Sequence, residues 1–302
     1  MENHTAKHFV LQLGSLVSLY LSLSFLLVLI FGSINLIFPD ATDSIWEVEN
    51  FSSSVRTGIA MVVVFFPAYI ILTRQVNKTR RKDSENSYLG LTKWLVYLSL
   101  LIGGAVILGD LVAVMMAFLE GEITQRFILK ALALLVIVGV AFSYYLLDVK
   151  GYWLTRERKS ILFGILVSIL VLVAVVCGFR HIDPPTEVRN QKLDSVQIND
   201  LQSIQWQIEE YLLLNDAVPD SLGDIYNETN LPAAPENRPS YRYQKTETGF
   251  SLCANFASES KSEKFPFDRT LPTPEHKGPV IVNPYNWDHG FGDVCFERIV
   301  KL

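Results

Sequence analysis

The chain has 302 residues, half of them apolar, a formal net charge of −5 and a positive mean hydropathy of +0.27. That length suits one large domain or two ordinary ones. The acidic balance is wrong for a nucleic-acid binder, because phosphate-rich partners are repelled.

The apolar residues are concentrated in the first half. Up to Phe179 the sequence consists of apolar runs long enough to cross a bilayer, and from Asp183 onward it reads as a water-soluble polypeptide rich in Pro, Asn and Ser. The predicted architecture is an α-helical membrane bundle of five transmembrane helices over 1–180, followed by a small α+β extracytoplasmic domain over 181–302.

From Phe9 to Ile37 the chain is almost continuously apolar, longer than a signal-peptide core, which predicts an uncleaved helix ending before Pro39. A second span runs from Gly58 to Thr73 with Pro67 inside, tolerable where neighbours satisfy the freed carbonyl. The third covers Trp94 to Leu119, the fourth Ile123 to Leu147 and the fifth Ile161 to Phe179. The links after spans two and four are basic (Arg74, Lys78, Arg80, Arg81, Lys82, Lys93; Lys150, Arg156, Arg158, Lys159). Those after spans one and three are acidic. Basic links stay in the cytoplasm, so the amino terminus is predicted inside the cytoplasmic membrane and the carboxyl-terminal domain outside.

After the fifth span, Pro184-Pro185 breaks the helix and a new one starts near Thr186. Ile198, Leu201, Ile204, Ile208 and Tyr211 form one stripe of an amphipathic helix. Asp220 or Ser221 caps a second short helix. Tyr241–Gln244, Phe250–Phe256 and Val294–Val300 read as antiparallel strands between proline-spaced loops. Cys253 and Cys295 fall in the last two strands, and outside the cytoplasm a cross-strand disulfide between them is predicted, with two buried thiols as the alternative.

The chemistry-bearing stretch is Gly109 to Lys130. It sets Asp110 in one apolar segment and Lys130 in the next, and charge in hydrocarbon needs a partner. Spans three and four are antiparallel neighbours, so both groups are expected about two turns from the same border and at depths that allow pairing. Arg56, Glu122 and Arg126 would support that pair. One reading is a proton or ion relay. The preferred one is an interhelical ion pair, with Gly103, Gly104 and Gly109 permitting close approach, since a transport path needs more polar lining.

Several enzyme classes are excluded. An intramembrane aspartyl protease needs two neighbouring carboxylates, and Asp148 lies more than about 15 Å from Asp110 in depth. There is no His-Glu-x-x-His, no phosphate-cradling Gly-rich loop, and no His within a span to ligate haem. No metal or cofactor is expected. In the outer domain, Trp287 and His289 within Asn286–Gly292 could mark a reactive loop; tight turns with Trp287 as a packing anchor are the stronger reading.

The Phe38-Pro39-Asp40 end of span one, the Gly109-Asp110-Leu111 of span three, the set Gly121, Glu122, Arg126, Phe127 and Lys130, and Tyr144-Tyr145 resemble a bacterial membrane family known as a domain of unknown function (the 5671 type). The resemblance implies a bacterial inner-membrane protein and transfers no activity. Asp200–Tyr211, Val218–Leu222 and Leu252-Cys253-Ala254 are weakly similar to pilin and pseudopilin head domains, although no Gly-Phe processing site precedes span five and Pro184-Pro185 interrupts the spine.

The function expected from these features is a membrane-anchored, non-catalytic protein of the cell envelope. It sits in the lipid bilayer and binds an envelope protein or a second copy of itself through its outer domain. The alternative is a small transporter or channel component working through Asp110 and Lys130. An envelope enzyme built around His289 comes third.

Overall fold

The computed structural model describes residues 2–40, 43–82, 89–121, 123–226, 231–260, 280–282 and 285–301. The chain divides into two compact units, Met1–Ile182 and Asp183–Leu302.

The first unit is all helix: α1 (Glu2–Ile37), α2 (Ile45–Lys82), α3 (Leu89–Glu120), α4 (Gln125–Val149), a single turn α5 (Tyr152–Thr155) and α6 (Glu157–Arg180). Five of its helices are long and apolar enough to cross a membrane. α2 has 38 residues, far beyond the sixteen-residue apolar stretch of its sequence. Its charged ends continue the helix because Glu, Lys and Arg are good helix formers wherever their side chains reach water.

α1 and α2 form the closest pair of the bundle. They meet where side chains are missing: a Cβ on Gly58 would lie 2.8 Å from the Leu29 Cβ and 2.9 Å from its backbone. Leu29, Val55, Ile59 and Val62 of this seam are buried together with Val171 and Val175 of α6. α3 packs chiefly on α4 and leaves most of its surface bare, with Leu101, Leu108, Val112, Met115 and Phe118 exposed. In water that surface would be a liability; in hydrocarbon it costs nothing.

The second unit places one long helix, α7 (Pro185–Asn215), on an antiparallel sheet of β1 (Arg242–Thr246), β2 (Gly249–Phe256), β3 (Val280–Val282) and β4 (Gly292–Lys301) in the order β1-β2-β4-β3. Pro185 is the first residue of α7, a position that loses no hydrogen bond to the missing N–H. The short helix is a 3₁₀ turn, Leu222–Asp224, closed by a reciprocal Ser221–Asp224 capping box. Leu201, Ile204 and Ile208 of α7 meet Phe250, Leu252, Ala254 and Phe256 of β2 and Phe296 of β4. The period of three and four on the helix thus joins the period of two on the strand. Gly249 has no substitute, because a Cβ there would lie 2.0 Å from the Arg298 carbonyl oxygen.

Candidate functional site

Asp110 and Lys130 do not pair. Asp110 lies ten residues before the end of α3 and Lys130 five after the start of α4, about 15 Å and about 7.5 Å from those ends at the helical rise. A Cβ on Gly103 would meet the Phe142 ring at 3.3 Å, and that antiparallel register sets Asp110 opposite Leu135 rather than Lys130. Asp110 stands half-exposed on α3 without an ion pair or a hydrogen bond among the described residues. Gly103 and Gly104 do abut Phe142, whereas nothing approaches Gly109 within 4 Å.

The residue expected to support that pair is instead the centre of a clamp. Arg126, in the first turn of α4, donates from Nη1 to Asp43 Oδ1 at 2.9 Å and from Nη2 to Asp43 Oδ2. Its Nε donates to the Phe38 carbonyl and its Nη2 to the Asn35 carbonyl, the latter at 3.2 Å. Those carbonyls belong to the last turn of α1, where no helical N–H remains to serve them. One guanidinium therefore ties α4, the end of α1 and the α1–α2 link. It also lies 5.9 Å from the Phe51 ring centre. The Arg126 hydrogen bond holds the Asp43 carboxyl below its ordinary value against the opposing effect of desolvation, and Lys130 adds its charge from further away. Arg56 keeps a buried Nε with no partner. Glu122 lies outside the described residues.

The opposite, basic end of the bundle has its own clasp. Arg80 Nη1 donates to both oxygens of Asp148, at 3.0 and 2.9 Å. Arg81 bonds Glu157 at 2.7 Å and the Trp153 carbonyl at 3.2 Å. Trp153 Nε1 donates to the Tyr144 carbonyl at 2.9 Å. Tyr144 and Tyr145 are buried core, 8 % and 7 % exposed. They meet edge-on at 5.5 Å, and Tyr144 stacks on Trp153 and Phe163. The sequence offered no sign that α5 would fold Trp153 back under them.

Between the two ends lies a cavity of about 650 Å³ lined by α1, α2, α4 and α6. Its walls are mostly apolar, with Ser22 and Ser168 among them, and become polar at the basic end, where Thr73, Arg74, Asn77, Arg81, Glu157 and Ser160 reach it.

In the second unit Cys253 and Cys295 face each other across β2 and β4 and are joined in a disulfide, with Cα atoms 4.0 Å apart. The Trp287 ring lies 4.4 Å from the buried Arg298 guanidinium and packs on Phe296. His289 stacks on Phe256 at 3.8 Å, and its backbone N–H donates to Ser260 Oγ at 2.9 Å. Among the described residues the His289 ring bonds the Gly290 carbonyl, at 3.3 Å. Arg298 itself is served by Gln205 and the Asn286 carbonyl, both at 2.8 Å, and its burial pulls its pKa down. Asp194 of α7, 2 % exposed, accepts from Arg238 and from the backbone of Ala257 and Ser258. This network clips the helix to the end of β2, and nothing in the sequence pattern had singled it out. Among the described residues no group of three His, Cys, Asp or Glu side chains converges as a metal set.

No curated protein and no solved structure matches the chain, so the likeness of the second unit to pilin heads gains no support from either. Residues 8–145, which span α1 to the Tyr144-Tyr145 turn of α4, match the model of the family described as domain of unknown function (DUF5671).

Proposed function

We propose that the protein is a multi-pass protein of the bacterial cytoplasmic membrane whose helical unit anchors an extracytoplasmic binding unit. The observation that carries this reading is the outward face of α7. One stripe of that helix is buried on the sheet, yet its other side bares Trp206, 62 % exposed, and Leu213, 66 % exposed, one heptad apart. A large aromatic side chain left in water at the centre of such a face is characteristic of protein–protein contact. Glu210 stands between them and Asp216 beyond. The second unit carries nineteen acidic against eleven basic residues, a net charge of about −8. The partner is therefore a protein of the envelope with an apolar recess and a basic rim.

A photoreactive residue placed at position 206 of the full chain in intact cells tests this. One discrete adduct with a second protein, lost in Leu213→Asp, is the expected result. Labelling of lipid alone, or no adduct while the protein is present at normal level, refutes it. A homodimer adduct would identify the partner as a second copy.

A further inference from the structure

The cavity in the helical unit is open towards the flank of the bundle. α6 packs on α1 and α2 and meets α4 through the Tyr144 and Phe163 rings, 5.4 Å apart, at the basic end. Beyond that contact the two helices line the cavity together. The residues at its mouth are themselves exposed: Val136 and Val140 from α4, Ile161, Ile165 and Leu172 from α6. On helices that cross a bilayer, a mouth with such a rim faces hydrocarbon, not water.

Along α6 the lining extends from Glu157 to Ala174, about 25 Å at the helical rise, against about 30 Å for the hydrocarbon core of a bilayer. Over most of that length Leu23, Leu26, Phe66 and Val167 offer only apolar contact. At the basic end the chemistry changes within one turn. Arg74 is exposed and has no ion pair or hydrogen bond among the described residues. Arg81 gives Nη1 to Glu157 but keeps a buried Nε without a partner. The Ser160 hydroxyl and Asn77 stand beside them. Two guanidinium groups against one carboxylate leave a net positive charge at the foot of an apolar slot.

We propose that this cavity is a binding site for a long-chain lipid with a phosphate headgroup, entering sideways between α4 and α6. The acyl chain lies along α6, and the phosphate takes the free donors of Arg74, in the positive field of Arg81. Arginine suits this role, because its planar fork matches phosphate oxygens and is less strongly hydrated than an ammonium group.

The test uses the full-length protein in phosphatidylcholine vesicles containing a small fraction of phosphatidylglycerol with a photoreactive acyl chain. Adducts are expected on the facing stretches 136–141 and 161–172, and unlabelled phosphatidylglycerol should suppress them about tenfold better than added phosphatidylcholine. Gly164 lines the cavity, and a Cβ there meets nothing within 4 Å. Gly164→Leu starts its side chain in open space beside the lining, and it should lower these adducts at least fivefold while thermal stability is kept. Gly109→Leu, on the open surface of α3, should leave them unchanged. Arg74→Gln should abolish the preference for phosphatidylglycerol but not the labelling. Equal suppression by the two lipids, equal labelling of Gly164→Leu and parent, or displacement by inorganic phosphate alone overturns the proposal.

Discussion

Arg126 grips both carboxylate oxygens of Asp43, across a sequence separation of 83 residues, and does so from the first turn of the helix that was expected to deliver it to Asp110. Both side chains are largely shielded, 15 % and 10 % exposed. Removing one member of such a pair strands the other charge. Arg126→Ala is therefore expected to cost about 3 kcal/mol, seen as a lower thermal midpoint of the purified protein. Arg126→Lys should recover little, since an ammonium cannot serve two oxygens and two carbonyls in one plane.

The same clamp gives a pH dependence. The folded-state pKa of Asp43 is depressed, so its contribution to stability is complete above the ordinary aspartate value of 3.8 and disappears as the pH falls through the lower folded value. Thermal midpoints measured from pH 6 downward should hold until about pH 4 and then fall. Asp43→Asn should start lower and lack that part of the slope.

Gly58 lies where the backbones of α1 and α2 come closest. Gly58→Ala forces a methyl group to within 2.8 Å of Leu29 and should destabilise the helical unit by about 1–3 kcal/mol. Gly109→Ala, with open space around it, should be neutral or slightly stabilising through helix propensity. Equal midpoints for the two variants would contradict the packing described.

Asp110 and Lys130 belong to different environments, so their substitutions should act independently. In a double-mutant cycle of Asp110→Asn and Lys130→Met, the coupling energy should not exceed about 0.5 kcal/mol. A coupling above about 1 kcal/mol would put the two residues in contact after all.

Opening the Cys253–Cys295 bond releases a loop with a sequence separation of 42, which in the chain-entropy account stabilises by about 4 kcal/mol. The double variant Cys253→Ser, Cys295→Ser should unfold the second unit at markedly lower denaturant while the helical unit keeps its midpoint. A shift of both transitions together would show that the two units unfold as one.

Hydropathy made the five spans legible, because length and apolar content are all that a crossing helix needs. It placed the ends of α2 badly. Glu47 and Glu49 at one end and Lys78 to Lys82 at the other read as links, yet helix formation is indifferent to their charge. The pairing of Asp110 with Lys130 misread depth, since the relevant distances run from helix ends that hydropathy does not locate. Arg126 stands out in the sequence, but its partner lies on a link between two other helices, a long-range relation that periodicity cannot carry. The burial of Tyr144 and Tyr145 depends on the Gly151 turn and the single turn α5, which are too short to announce themselves. In the second unit, the stripe from Leu201 to Ile208 and the alternation in β2 predicted the core. β3 has three residues at the sheet edge, too few for any pattern, and Asp194 looked like one more solvated carboxylate on a helix.

α4 is fastened by an ion pair at both tips, to Asp43 through Arg126 and to Arg80 through Asp148. Its middle, around Val136 and Val140, lines the cavity. A rod pinned at its two ends and greased along its span bends most easily at mid-length. Its outward bowing would widen the mouth between α4 and α6 while both pins stay closed, so the bundle can admit something from its side without ever coming undone.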